Sequence, residues 1–131
     1  MLQLCVGTWC LVFQVLQAGL VVPEVLRTFL EDEGHIFVGA HISKDVDRLD
    51  EDFGINVTNT HDLQEIVPNV DKRRLSYLTR GPHGRACLEK VASGVLGLRI
   101  WKDKNFDHRY WAVRNLSFKQ VEYAAQDAYV L

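Results

Sequence analysis

The chain has 131 residues, of which 47% are hydrophobic and 24% are charged, and this is the composition of an ordinary globular domain. It excludes a disordered segment and a fibrous repeat, because apolar side chains are numerous enough to form a core. The net charge of −2 is unevenly distributed: residues 1–70 hold 3 Lys/Arg against 11 Asp/Glu, and residues 71–131 hold 12 against 6. An acidic half beside a basic half suits a protein that binds cations at one place and phosphates at another, although two ordinary solvated faces explain it equally well.

Neither the cysteines nor the apolar N-terminal segment indicates export. Cys5, Cys10 and Cys87 are odd in number and contain no Cys-x-x-Cys pair, so they predict neither a disulfide framework nor a zinc site. We interpret them as reduced, mostly buried thiols of an intracellular protein. Residues 1–22 lack the basic start and the cleavage site of a secretory signal, and they are too polar to span a bilayer. A secreted or membrane-anchored module is therefore the least favoured class.

The chain is predicted to begin with a β-hairpin followed by a helix. Leu2–Val6 and Trp9–Val15 are rich in β-forming residues, and the two residues Gly7-Thr8 between them are typical of a tight hairpin turn. Pro23 opens a helix with one apolar stripe, and Gly34 ends it.

The next segment is predicted to be a buried strand leading into a second helix. His35–Ile42 is a nearly continuous apolar run, as expected for a parallel strand after a crossover helix. Lys44–Phe53 has helical periodicity, and Gly54 is its expected end.

Shorter elements are predicted in the middle of the chain. Ile55–Val57 is predicted as a further strand and Asp62–Val67 as a short helix ended by Pro68. Residues 69–84 are expected to form an exposed basic loop, and Arg85–Gly97 resumes helical spacing. Strands alternating with helices after an initial hairpin predict an α/β fold with a mixed sheet, in a single domain over residues 1–131.

The last helix is predicted to begin after Ser117, a natural N-cap, and to carry the most suggestive pair of side chains. Residues four apart lie on one face of a helix, so the Tyr123 hydroxyl and the Asp127 carboxylate can point to one place. For an isolated Tyr-x-x-x-Asp, a half-buried aromatic residue beside a solvated charge is the commoner explanation.

Asp45 is the second candidate, because it follows the strand ending at Ile42. Ligands of open α/β sheets bind beyond the carboxyl ends of the strands, which makes this position suitable for a catalytic carboxylate. An aspartate that merely favours a helix N-terminus would occupy the same position.

Two segments together resemble a known family. Phe37-Val-Gly-Ala-His-Ile-Ser-Lys-Asp45-Val-Asp-Arg-Leu49 resembles the second motif of the DEDDy 3′–5′ exonucleases, the ribonuclease D and Werner-type family. Tyr123-Ala-Ala-Gln-Asp127-Ala-Tyr129 resembles the third motif. Further segments match the family in order: Leu2-Gln-Leu-Cys5, Leu96-Gly97, Lys102, Trp111, Leu116-Ser117 and Gln120. The resemblance implies a ribonuclease H-like exonuclease fold, a mixed sheet flanked by helices, over essentially the whole chain.

The resemblance also implies a chemistry, namely hydrolysis of nucleic acid from the 3′ end with two Mg²⁺ or Mn²⁺ ions roughly 4 Å apart. By this similarity Asp127 ligates the metal that activates water, Asp45 holds the second metal, and Tyr123 orients the nucleophile. Lys102 is a candidate for phosphate contact, although a solvated loop lysine is the commoner explanation. The implied partner is a DNA or RNA 3′ end, and the implied location is the nucleus or the cytoplasm.

The sequence departs from the family at the first motif, an Asp-x-Glu on the first central strand. No Asp-x-Glu occurs in the 131 residues, and the nearest acidic clusters, Glu31–Glu33 and Asp50–Asp52, are interpreted as solvated. We therefore expect an N-terminally truncated domain without its first central strand and with impaired catalysis, since metal affinity depends on ligand charge and number. The alternative is a catalytically inactive member that binds nucleic acid or a protein partner.

Overall fold

A computed structural model describes residues 1–70, 75, 88–97 and 110–131. The described elements are, in chain order, β1 (Leu2–Val6), β2 (Trp9–Phe13), α1 (Glu24–Glu31), β3 (Phe37–Gly39), α2 (Ile42–Phe53), β4 (Thr60–Asp62), α3 (Leu63–Val70), α4 (Leu88–Leu96) and α5 (Phe118–Tyr129). The chain forms two compact units, Met1–Val22 with Trp101–Leu131, and Pro23–Ile100. The single domain expected over residues 1–131 stays a prediction.

The first unit contains the predicted hairpin. β1 and β2 pair antiparallel, with Val6 opposite Trp9 and Cys5 opposite Cys10. Gly7 has a φ of +59°, in the left-handed region, and the φ of Thr8 is not positive. Because only the first of the two loop residues has a positive φ, the turn has the pattern of type II′, with glycine at its first position. The turn therefore fixes the register of the two strands.

Helix α5 packs on this hairpin through small side chains. Ala124 is 0% exposed and Ala128 is also buried, so the helix backbone approaches the strands closely. The predicted N-cap is confirmed, because the Ser117 side chain accepts a hydrogen bond from the Gln120 backbone N–H while the Gln120 side chain accepts one from the Ser117 N–H. This capping box satisfies donors that would otherwise be orphaned at the start of the helix.

In the second unit β3 and β4 form a parallel pair, with Phe37 opposite Thr60 and Gly39 opposite Asp62. The strand predicted over His35–Ile42 is confirmed only in its centre, because α2 already begins at Ile42. The end predicted for α2 is confirmed: Gly54 has a φ of 60° and its N–H donates to the Asp50 carbonyl over 2.8 Å.

One of the shorter predicted elements is wrong. Ile55–Val57 is not a strand, although Ile55 is 0% exposed and Val57 is also buried, because the pairing partner of β3 comes later, at Thr60–Asp62. Burial and β-forming residues predict a strand only where a partner strand is available.

Helix α3 also differs from its prediction, because it starts at Leu63 and continues through Pro68 to Val70. Val67 packs in a buried cluster with Leu75 and Val91, against which Leu63 is also packed. This packing outweighs the local preference of proline for a helix end. Apart from residues 69–70 and the buried Leu75, the basic loop predicted over 69–84 lies outside the described residues.

The helix predicted over Arg85–Gly97 is confirmed over Leu88–Leu96, and the α/β class is confirmed. In the described part of the chain the antiparallel and the parallel pair are separate two-stranded sheets. The lack of a first central strand stays a prediction. Among the described helices, none has the length and apolar character needed to cross a membrane.

Candidate active site

Asp45 lies in the first turn of α2, immediately after the turn that follows β3. This is the carboxyl end of a parallel strand, the location that the sequence predicted for it. The structure therefore places Asp45 where a carboxylate can serve a ligand beyond the sheet edge.

The turn between β3 and α2 is tight. Gly39 is buried, and a Cβ atom on it would lie 2.9 Å from the Cβ of Ile42. His41 adopts left-handed backbone angles, with φ 60° and ψ 34°, which is uncommon for a residue other than glycine. Strained backbone of this kind persists only where its surroundings hold it, and it is concentrated at functional sites.

Asp62 supplies part of that support. One of its carboxylate oxygens, Oδ1, accepts a hydrogen bond from the His41 N–H over 3.3 Å and another from the Gln64 N–H over 2.9 Å. Asp62 ends β4, directly opposite Gly39. It therefore connects the start of α3 with the β3–α2 turn that precedes Asp45, a role that the sequence analysis missed.

Asp45 is an exposed residue, yet its carboxyl group is partly desolvated. This desolvation raises the pKa of Asp45 above its ordinary value, while the charges of Arg48 and His41 act in the opposite direction. The carboxyl group thus holds its proton to a higher pH than an ordinary aspartate does.

Tyr123 and Asp127 lie on one face of α5, as predicted, and both are half-buried at the margin of the face that packs on the hairpin. The Tyr123 ring lies against the indole of Trp111, with a centroid separation of 6.1 Å and an angle of 49° between the rings. This contact limits the rotation of the Tyr123 side chain, which is a requirement for a group that orients a reactant.

The segment that carries Trp111 is held by glutamine side chains. Gln14 donates to the Val113 carbonyl over 2.8 Å, and Gln17 donates to the Ala112 carbonyl over 2.9 Å. Gln120, itself buried, donates to the Tyr110 carbonyl over 2.8 Å. We call Gln14, Gln17 and Gln120 the glutamine clamp, because they fix the backbone on both sides of Trp111.

In the first unit, Cys5 and Cys10 make a direct contact that the sequence analysis missed. The Cys10 thiol donates a hydrogen bond to the Cys5 sulfur over 2.8 Å, and its sulfur lies 3.6 Å from the Ala125 carbonyl of α5. The hydrogen bond to Cys5 and, to a lesser extent, desolvation raise the pKa of Cys10 to about 11. The signal was present in the sequence, because a two-residue loop at Gly7-Thr8 places residue 5 opposite residue 10.

The predicted site residues are distributed over both units. Tyr123 and Asp127 belong to the first, Asp45 belongs to the second, and Lys102 lies outside the described residues. The acidic clusters Glu31–Glu33 and Asp50–Asp52 are exposed, as predicted. Within residues 1–70, 75, 88–97 and 110–131, no three or more His, Cys, Asp or Glu side chains form a group that could hold a metal ion.

The donor chemistry at the predicted positions suits hard divalent cations. Asp45 and Asp127 offer carboxylate oxygens, which Mg²⁺ and Mn²⁺ prefer to sulfur ligands. A carboxyl group must lose its proton to bind a cation well, and desolvation raises the pKa at which Asp45 does so.

Comparison with known proteins identifies the class. A sequence model of the 3′–5′ exonuclease family matches residues 1–131. The chain therefore belongs to the 3′–5′ exonuclease family, and by family it is a hydrolase. This membership supports the ribonuclease H-like fold that the sequence resemblance implied.

Two curated relatives agree with this class. The chain is 30% identical over 107 residues to Exonuclease 3′-5′ domain-containing protein 2 of Drosophila melanogaster, covering 82% of this chain and 16% of that protein. It is 26% identical over 128 residues to a 3′-5′ exonuclease of Arabidopsis thaliana, covering 97% of this chain and 41% of that protein. The chain is 28% identical in sequence to the protein in the crystal structure of the EXD2 exonuclease domain soaked in Mn and GMP. That match has a TM-score of 0.37 and covers 83% of this chain and 51% of the EXD2 chain. The chain thus spans less than half the length of these two curated relatives.

Proposed function

We propose that this protein is a 3′–5′ exonuclease domain that hydrolyses phosphodiester bonds at the 3′ ends of DNA or RNA. The observation that carries the proposal is the family match over residues 1–131, which includes both segments that resemble exonuclease motifs. The proposal is also supported by the position of Asp45 in the first turn of α2 and by the shared face of Tyr123 and Asp127 on α5. We place the protein inside the cell, in the nucleus or the cytoplasm.

Asp127 and Asp45 are the proposed ligands of two Mg²⁺ or Mn²⁺ ions. Divalent cations, when bound, lower the pKa of water and stabilise charge on the leaving 3′ oxygen. The side chains of this protein would supply the carboxylate oxygens and orient the attacking water. Tyr123 is suited to the second task because its phenol can donate and accept hydrogen bonds and its ring rests against Trp111. Lys102 is proposed to contact a substrate phosphate.

The 131-residue chain is proposed to be a weak catalyst by itself. Its sequence contains no Asp-x-Glu, so it lacks two of the four acidic residues by which the family is defined. Fewer carboxylate ligands lower the affinity for divalent cations and leave negative charge on the phosphate less compensated.

The absence of Asp-x-Glu also favours a second candidate function. In this alternative the protein is a catalytically inactive member of the family that binds nucleic acid or a protein partner. In this case the chain would bind 3′ ends through its basic residues without cleaving them. The two candidates share a fold and differ in metal-dependent turnover.

The test is the Mg²⁺-dependent release of nucleotides from a 3′-labelled strand. We expect the 131-residue chain to be at least about 100-fold slower than a version preceded by a strand that carries Asp-x-Glu, which is the effect of removing a major electrostatic contribution. In the extended version Asp127→Asn should abolish release. Glu122→Gln, an exposed position on the same helix, should leave it unchanged.

The outcomes separate the candidates. Full activity of the 131-residue chain that disappears in Asp127→Asn would contradict the proposed impairment. An extended version that binds the strand without releasing nucleotides would contradict the exonuclease proposal and favour the binding function.

A further inference from the structure

We propose that Cys5 and Cys10 are a redox modification site, at which a low-molecular-weight disulfide oxidises the two thiols to a reversible disulfide across the β1–β2 hairpin. The proposal uses none of the candidate catalytic residues, and it does not depend on nuclease activity.

The geometry of the hairpin suits a disulfide between these two residues. Cys5 and Cys10 are direct cross-strand partners, so their side chains project from the same face of the hairpin. Opposite residues of an antiparallel pair have Cα atoms about 4.5–5.5 Å apart, which lies within the range that a disulfide bridges. The two sulfur atoms are 2.8 Å apart, so closure requires no movement of the strands past each other.

The two sulfurs are accessible and differ in their hydrogen bonding. Both residues are half-buried, so a small disulfide can reach them while the pair remains in the fold. The Cys10 thiol donates the shared hydrogen bond and the Cys5 sulfur accepts it. Cys5 is therefore the attacking sulfur, and Cys10 is the thiol that resolves the intermediate.

The reaction balances as two exchange steps. The Cys5 thiolate attacks one sulfur of the small disulfide, a mixed disulfide forms on Cys5, and one small thiolate leaves. Cys10 then loses its proton, its sulfur attacks the Cys5 sulfur, and the bond to the second small thiol breaks. Two electrons pass from the cysteine pair to the small disulfide, which is reduced to two thiols that take up the protons.

The location of the pair connects it with α5. The Cys10 sulfur lies 3.6 Å from the carbonyl of Ala125, a residue between Tyr123 and Asp127 in the helix. Closure removes the Cys10 S–H and fixes the sulfur to Cys5. The disulfide therefore changes the contact between the hairpin and the part of α5 that carries both candidate catalytic side chains.

The test uses the protein with Cys87→Ala, so that only the pair can react, and a series of oxidised to reduced glutathione ratios. Intact and peptide mass spectrometry should show the loss of two hydrogen atoms on the segment from Cys5 to Cys10, with no glutathione attached. Added dithiothreitol should restore the original mass. In Cys10→Ser the reaction should stop at one glutathione adduct on Cys5.

A register variant provides the matched control. Cys10→Ser combined with Leu11→Cys moves the second thiol by one residue and therefore to the other face of the hairpin. Closure in this variant should be at least about tenfold slower than in the parent. Thiols that remain reduced at the most oxidising ratio, glutathione adducts that accumulate on Cys5 and Cys10 without closure, or equal closure rates in the register variant would overturn the proposal.

Discussion

Gly39 shows how little space the turn before Asp45 allows. The nearest atom to an added Cβ would be the Cβ of Ile42 at 2.9 Å, and the Ile42 Cγ1 and Cδ1 atoms would follow at 3.1 Å and 3.2 Å. The closest of these atoms is attached directly to the backbone at the start of α2, so it cannot move without the helix. The position of Asp45 thus depends on the absence of a side chain six residues earlier.

Gly39→Ala is expected to destabilise the protein by about 1–3 kcal/mol, the usual effect of overpacking. The measurement is the urea midpoint at an unchanged slope. Gly34→Ala is the control, because its Cβ would meet only the exposed carboxylate of Asp32, at 3.0 Å. That carboxylate also accepts a hydrogen bond from the Gly34 N–H, so the effect should be at most about 1 kcal/mol. Equal effects of the two substitutions would contradict the steric argument.

The raised pKa of Asp45 makes the stability of the protein depend on pH. Because its pKa is raised in the folded protein, the folded state binds this proton more tightly than the unfolded chain does. The resulting contribution to stability is present below the ordinary aspartate pKa of about 4 and is lost as the pH rises through the raised value. The charged carboxylate is therefore slightly unfavourable for folding at neutral pH.

Asp45→Asn should accordingly raise the melting temperature at neutral pH by about 1–3 °C and have a smaller effect in acid. Asp47→Asn, at an exposed position of the same helix, is the control for a general loss of negative charge. Thermal unfolding at both pH values measures the difference. A melting temperature that rises equally in both variants would show that general charge repulsion, and not the desolvation of Asp45, is responsible.

Among the elements, α2 and α3 depend on a single oxygen of Asp62. Asp62→Ala removes the acceptor for both the His41 and the Gln64 N–H groups and should cost about 1–2 kcal/mol, comparable to the loss of a helix cap. Asp62→Asn retains an oxygen in the same place and should restore most of this stability. Faster hydrogen exchange of the His41 amide in Asp62→Ala, and near-normal exchange in Asp62→Asn, would identify the hydrogen bonds as the cause. Failure of the asparagine variant to restore protection would indicate that the charge matters instead.

The elements that sequence predicted well have local signals. The hairpin follows from a two-residue loop with glycine, the end of α2 from Gly54, and the start of α5 from Ser117 and Gln120. The pairing of β3 with Thr60–Asp62 has no local signal, because this short segment is polar and its partner is more than 20 residues away. Ile55–Val57 was the more plausible strand by composition, and only the tertiary pairing excludes it.

The candidate site shows the same division between local and distant information. The shared face of Tyr123 and Asp127 follows from helical periodicity alone, so the sequence was sufficient. The role of Asp62 depends on a hydrogen bond to a residue 21 positions away and could not be predicted from local pattern. The roles of Asp45, Tyr123 and Asp127 in metal binding and catalysis stay predictions.

For the whole molecule the relevant property is the charge difference between residues 1–70 and 71–131. If the basic half binds phosphates, affinity for a 3′ single strand should fall at least about tenfold between roughly 50 and 200 mM salt, because bound Lys and Arg release counterions from the nucleic acid. Fluorescence anisotropy with a labelled strand measures this dependence. Binding that does not change with salt would contradict the assignment of the basic half as the contact surface.

A charge variant in each half refines this prediction. Replacing Lys72, Arg73 and Arg74 together by alanine should weaken binding and reduce the salt slope. Lys44→Ala, at an exposed position in the acidic half, should change neither. A larger effect of Lys44→Ala would place the phosphate contacts in the acidic half.

The glutamine clamp gives the protein an internal optical probe. Its three donors are neutral amides and its acceptors are backbone carbonyls, so neither pH nor salt weakens it in the way they weaken an ion pair. We therefore expect Trp111 to stay against Tyr123 over the pH range in which aspartate and glutamate side chains ordinarily lose their protons. In a variant with Trp9 and Trp101 replaced by phenylalanine, so that Trp111 is the only tryptophan, its emission can follow the environment of α5 during cation or nucleic acid binding.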